Sequence, residues 1–131
     1  MYEEITDGVR IRVTPAFQPA ESAPEEGRYF WAYTIEILNL SAHTVKLINR
    51  YWRIVDAFGV ESEVRGDGVI GKQPVLKPGE AFTYTSGCPL TAPSGMMGGH
   101  YGMIDIASHR PFTAVVPTFA LDSPHANRRA N

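Results

Sequence analysis

Residues 28–58 contain neither glycine nor proline, yet they do not repeat as a helix does. Trp31, Tyr33, Ile35 and Ile37 recur at every second position, with Ala32, Thr34 and Glu36 between them. Period 2 marks a strand with one buried face, because successive side chains leave a strand on opposite sides. Val9, Ile11 and Val13 alternate with Arg10, Arg12 and Thr14 in the same way. Composition agrees. Val, Ile, Thr, Phe, Tyr and Trp supply 42 of 131 residues against 19 Ala plus Leu, which suits pleated surfaces better than helices. A helix bundle, a coiled coil and a disordered chain are excluded.

The same pattern places the other elements. Asn39–His43 reads as a turn. Val45 and Leu47 share one parity, and Trp52 and Ile54 share the other. A parity switch around Asn49-Arg50-Tyr51 predicts a β-bulge. Asp56–Gly59 is a turn, and 60–64 a short charged strand. Residues 65–79 read as a long loop, 80–86 as a strand, and 87–99 as a second long Gly- and Pro-rich stretch. Strands follow at 100–107 and 112–121, the last interrupted by Pro117. Pro15 and Pro19 predict that Val9–Thr14 lies at a sheet edge. Seven to eight strands predict an all-β, antiparallel sandwich of immunoglobulin or fibronectin type III-like architecture. One domain over 1–131 is expected, with a core at 5–121, a polar acidic loop at 19–27 and a polar tail at 122–131 carrying Arg128 and Arg129.

The formal net charge of −2 argues against a broad nucleic-acid face. The single cysteine, Cys88, rules out an internal disulfide and fits a reducing compartment. Met1-Tyr2-Glu3-Glu4 has no basic region followed by an apolar run, and no segment approaches the ~20 apolar residues of a membrane helix. A cytoplasmic location without membrane contact is expected.

Gly66-Asp67-Gly68-Val69-Ile70-Gly71 satisfies G-x-G-x-x-G, and Lys72 extends it toward a P-loop. Gln73 lacks the hydroxyl that would hold magnesium, and Pro74 disfavours a helix at Gln73. A Rossmann or kinase-type nucleotide site is therefore excluded. The loop retains two readings. Arg65, Gly66, Gly68, Gly71 and Lys72 would form an anion-binding nest, or the glycines would serve turns that need positive φ.

Cys88 with His100 is one nucleophile–base pairing to consider, although a lone cysteine is more often a small buried hydrophobe. His43, His100, His109 and His125 show no close metal-ligand spacing, so no cofactor is expected. A divalent metal would need a site assembled from distant loops. Asp56, Glu61, Glu63 and Asp67 read as a solvated charged edge. Met96 and Met97, with His100 beyond them, offer an adaptable contact surface for a partner, or they plug the end of the sandwich. Arg50-Tyr51-Trp52-Arg53 combines residue types common at interface hot spots. Alternation sends Trp52 inward with Ile54, and Tyr51 and Arg53 outward.

The run from Gly66 to Tyr101, together with Tyr33–Ile37 and Arg50–Ile54, resembles the signature of bacterial ApaG proteins across residues 5–121. The resemblance implies a fibronectin type III-like sandwich. It also implies a gene near that of diadenosine tetraphosphate hydrolase and proposed links to cobalt and magnesium tolerance. Related domains in eukaryotic F-box proteins and in a polymerase-delta-interacting protein resemble protein-interaction modules. The family supplies no catalytic residues. Gly66, Gly68 and Gly71 match its glycine motif, while Tyr51 stands where many members carry His. The expectation is a non-enzymatic binding module that presents the 65–79 and 87–99 loops to a protein partner. Alternatives are a phosphate or dinucleotide anion sensor through Gly66–Lys72, and a protein of divalent-metal homeostasis. Self-association through an edge strand near Pro15 is left open.

Overall fold

The computed structural model describes residues 1–126. Nine strands form two antiparallel sheets: β1 (Tyr2–Thr6), β2 (Val9–Phe17), β3 (Tyr29–Asn39), β4 (Val45–Asp56), β5 (Glu61–Asp67), β6 (Val75–Leu76), β7 (Ala81–Leu90), β8 (Gly95–Asp105) and β9 (Pro111–Leu121). One sheet has the order β1-β2-β3-β7. The other has the order β5-β4-β8-β9, with β6 on β4. The chain crosses between sheets after β3, returns after β6 and crosses again after β7, so the sandwich closes around one core.

The alternation explains the core. Val9, Ile11 and Val13 of β2 and Trp31, Tyr33, Ile35 and Ile37 of β3 are buried on one sheet. Leu47, Trp52, Tyr101, Met103, Val116 and Phe119 face them from the other. Trp52 sits at the centre, edge-on to Tyr33, Tyr101 and Phe119 at ring distances of 5.6, 6.1 and 6.2 Å.

Several expectations need correction. Two strands were not anticipated: acidic β1 and the two-residue β6. With β1 in place, β2 is internal over Val9–Val13 and lies at an edge only beyond it, where Pro15 sits. Residues 87–99 are not a loop. Cys88 and Pro89 belong to β7, and Met96 to Gly99 belong to β8, leaving a short turn at 91–94. Glycine in β8 is compatible with strand because neighbouring backbone and side chains fill the space that a Cβ would occupy. A Cβ on Gly99 would collide with the Tyr51 carbonyl, and one on Gly98 would lie 2.7 Å from the Thr118 hydroxyl. The loop at 65–79 is also shorter, since Arg65–Asp67 extend β5.

Pro117 lies where the β8–β9 register shifts, between Met97 and Gly99, so it interrupts no regular ladder there. The bulge in β4 falls at Ile48, between Leu47 and Asn49, slightly before the predicted position. The start of the expected tail is packed. The Trp31 indole N–H donates to the Asp122 carbonyl (2.7 Å), and the Ser123 hydroxyl donates to that of Pro93 (2.6 Å). Arg128 and Arg129 lie outside the described residues.

Candidate functional site

β1 and β2 pack on β9 and close one side of the sandwich. On the other side a cleft opens between β5 and β7. It has two lobes of about 370 and 200 Å³, which share Tyr33, Arg50, Trp52 and Ser86. The larger lobe runs toward Ile54, Val64 and Leu90. The smaller ends at Tyr84 and the Val69–Gly71 turn.

The bulge at Ile48 decides what occupies the junction. It shifts Arg50 onto the parity of Trp52 and Ile54, so an arginine stands at an inward-facing position. Its Nη1 donates to the carbonyls of Asp67 and Gly68, each at 3.0 Å. Gly66, directly opposite in the ladder, gives it room: a Cβ there would lie 2.7–2.8 Å from the guanidinium. Among the described residues no carboxylate lies within ion-pair distance of Arg50, whereas Arg10, Arg12, Arg28, Arg53 and Arg65 each have one.

Three tyrosines line this arginine's surroundings. Tyr84 and Tyr101 share a buried hydrogen bond between their hydroxyls. Burial raises the pKa of Tyr33, Tyr84 and Tyr101, and the nearby Arg50 charge opposes that in each. A hydrogen bond to Ser86 further opposes it at Tyr33. Cys88, on the larger lobe, is pushed up to about 11 by burial. Burial therefore favours the protonated thiol, whereas a nucleophile would need the thiolate. His100 does not serve it either: the imidazole is stacked on Tyr51, whose hydroxyl donates to Glu63 on the outer face.

These raised pKa values set a sign. The unfolded chain releases these protons from about pH 9 for Cys88 and pH 10 for the tyrosines, while the fold retains them. The unfolded state then binds fewer protons, so stability is full below pH 9 and falls as pH rises, by about 1.4 kcal/mol per unit per group. Urea midpoints measured from pH 7 to 11 are expected to drop above pH 9. A Cys88→Val variant is expected to lose part of that slope between pH 9 and 11.

The anion nest expected from Arg65, Gly66, Gly68, Gly71 and Lys72 is not gathered into one site. Arg65 lies over the Tyr51 ring on the outer face, 4.5 Å from its centroid. Gly66 is a ladder residue of β5. The amides of Gly68, Val69 and Lys72 donate to the carbonyls of Ile48, Lys72 and Val69, so the turn has spent them. Gly68 and Gly71 have φ of +62° and +76°, the turn role of glycine. Of the proposed partner residues, Met96 is 46% exposed on β8, Met97 is buried in the core, and His100 is half-buried beside Tyr51. Among the described residues no three His, Cys, Asp or Glu side chains gather as a metal would need. No helix among them is long and apolar enough to cross a membrane.

Arg50 was legible only as an interface-type residue. The signal that could have found the site is the parity switch, taken one step further to ask which charged residue it turns inward.

The family model described as the ApaG domain matches residues 19–105, which include β3 to β8 and hence the cleft. This chain belongs to the ApaG family. The Protein ApaG of Methylorubrum extorquens is 54% identical over 128 residues, 98% of each chain. That of Rhodospirillum centenum is 51% identical over the full length of both. The crystal structure of an ApaA protein from Bordetella pertussis is similar at a TM-score of 0.86 and 42% identity, covering 90% of this chain and 95% of that one. These ApaG relatives carry no activity in their names, and the family relationship supplies the sandwich rather than a reaction.

Proposed function

We infer that this ApaG-family protein is a non-enzymatic binding module whose ligand enters the β5–β7 cleft and presents a single anionic group to Arg50. The observation that carries this reading is the half-buried guanidinium with no carboxylate partner among the described residues. An arginine fixed by two carbonyls and a glycine opposite is pre-oriented to accept a planar carboxylate. The walls favour an apolar body behind that charge, since Trp52, Ile54, Val64 and Leu90 line the larger lobe. One guanidinium and two or three hydroxyls suit a monoanion better than a polyphosphate.

Calorimetry and amide-resonance titration with hexanoate, hexanamide and pyrophosphate test this reading. Hexanoate is expected to bind at Arg50 and hexanamide to bind at least tenfold more weakly. Arg50→Met is expected to weaken hexanoate at least tenfold, about 1.4 kcal/mol. An Arg65→Ala/Lys72→Ala double variant is expected to leave hexanoate unchanged. Pyrophosphate binding lost in that double variant, with hexanoate inert, would return the site to the glycine turn.

A further inference from the structure

The two sheets end in β1, β7, β5 and β9, with the two-residue β6 on β4 as well. Three carry the features that deter another strand from pairing. β1 has Glu3 and Glu4, β5 has Glu61, Glu63, Arg65 and Asp67, and β9 has Pro111 and Pro117 with a register shift. β7 carries no charge from Ala81 to Leu90 and keeps an unbroken register with β3, and its one proline, Pro89, stands next to its last residue. Among the described residues its far side pairs with nothing. It is also the strand that borders the cleft, through Tyr84, Ser86, Cys88 and Leu90.

An uncharged edge beside a cation with no carboxylate partner narrows the occupant. A chain added antiparallel to β7 runs from the Leu90 end toward the Tyr84 end, in the direction of β3. Every second side chain of that chain would enter the larger, apolar lobe. From Leu90 to Ser86 is a run of four residue steps, roughly 14 Å of strand, which brings the newcomer to Arg50; Pro89 in that run offers its carbonyl but no N–H. There the Val69–Gly71 turn lines the end of the cleft. A group that ends a strand and carries one planar negative charge is a C-terminal carboxylate.

We propose that β7 receives the C-terminal segment of a partner protein by strand addition, with the terminal carboxylate on Arg50 and alternate apolar side chains between β5 and β7. This rests on the cleft reading above and names its ligand. The backbone ladder supplies affinity, the lobe selects the side chains, and Arg50 selects a free chain end over an internal segment.

The test uses the full-length protein with acetyl-Thr-Ile-Thr-Leu as the free acid, as its C-terminal amide, and as a free acid N-methylated at alternate amides. Binding is followed by calorimetry and by β7 amide resonances. The free acid is expected to bind and to shift β7, and the amide to bind at least tenfold more weakly. N-methylation of the set that faces β7 is expected to abolish binding. Arg50→Met is expected to weaken the acid tenfold and to erase the difference between acid and amide. Equal binding of acid and amide, shifts that bypass β7, or full affinity of both N-methylated sets overturns the proposal. Binding of hexanoate through Arg50 with no binding of the peptide also overturns it while leaving the cleft reading standing. Failure of both ligands removes both. A concentration-dependent dimer whose contact maps to β7 would overturn it in favour of a second copy.

Discussion

A Trp52→Ala variant is expected to lose about 3–5 kcal/mol of stability, measured by urea denaturation at unchanged m-value. Trp52 is 3% exposed and meets Tyr33, Tyr101 and Phe119 edge-on, so truncation removes contacts to both sheets at once. Those neighbours are themselves held by β-ladders and cannot collapse fully into the void, which adds a cavity term to the lost transfer energy. Domains of this kind are stable by only about 5–15 kcal/mol, so the variant sits near the limit of folding. Trp52→Phe should recover part of the loss, because an aromatic ring still fills most of the space. A loss below about 1.5 kcal/mol for Trp52→Ala would mean that the cleft beside it closes over the gap.

Gly68→Ala is the second large effect, expected at about 3 kcal/mol. Two costs combine. Gly68 has φ of +62°, a region that costs an L-residue roughly 1–2 kcal/mol. A Cβ there would also collide with the Lys72 carbonyl, which is backbone and is held by the Val69 amide. Overpacking of that kind typically costs about 1–3 kcal/mol. The shift would pull the Gly68 carbonyl from Arg50, so hexanoate affinity is expected to fall with stability. Ile70 in the same turn gives the opposite case. It is a β-branched residue at φ +43°, 53% exposed, on the smaller lobe. Ile70→Gly is expected to raise stability by about 1 kcal/mol through relief of that strain. Thermal melts of the pair distinguish turn strain from packing, since a packing role for Ile70 would make its glycine variant less stable.

Much of the fold was legible because side chains alternate along a strand wherever no bulge interrupts it. Val9, Ile11, Val13, Trp31, Tyr33, Ile35 and Ile37 all point where their spacing sends them. The reading failed where composition stood in for pattern. Gly95, Gly98 and Gly99 looked like loop punctuation, but in β8 they are strand residues with neighbours where side chains would be. Acidic β1 carries a weak alternation that its edge position tolerates. Of the two readings left open for the glycine motif, Gly68 and Gly71 take the positive φ of a turn. At Gly66 the demand came from Arg50, a residue sixteen positions away in the chain and directly opposite in the ladder.

The sequence by itself determined an antiparallel sandwich, its buried faces, the existence of a bulge before Trp52 and the absence of a nucleotide-type P-loop. These follow from local geometry: side-chain period, backbone φ demands and the missing hydroxyl at Gln73. Only the tertiary structure decided that the bulge turns Arg50 inward, that β5 and β7 stand apart, and that the uncharged edge of β7 borders the cleft. Those properties depend on which strands become neighbours and on which side of the sandwich closes. That choice is made by packing between sheets, and no single strand encodes it.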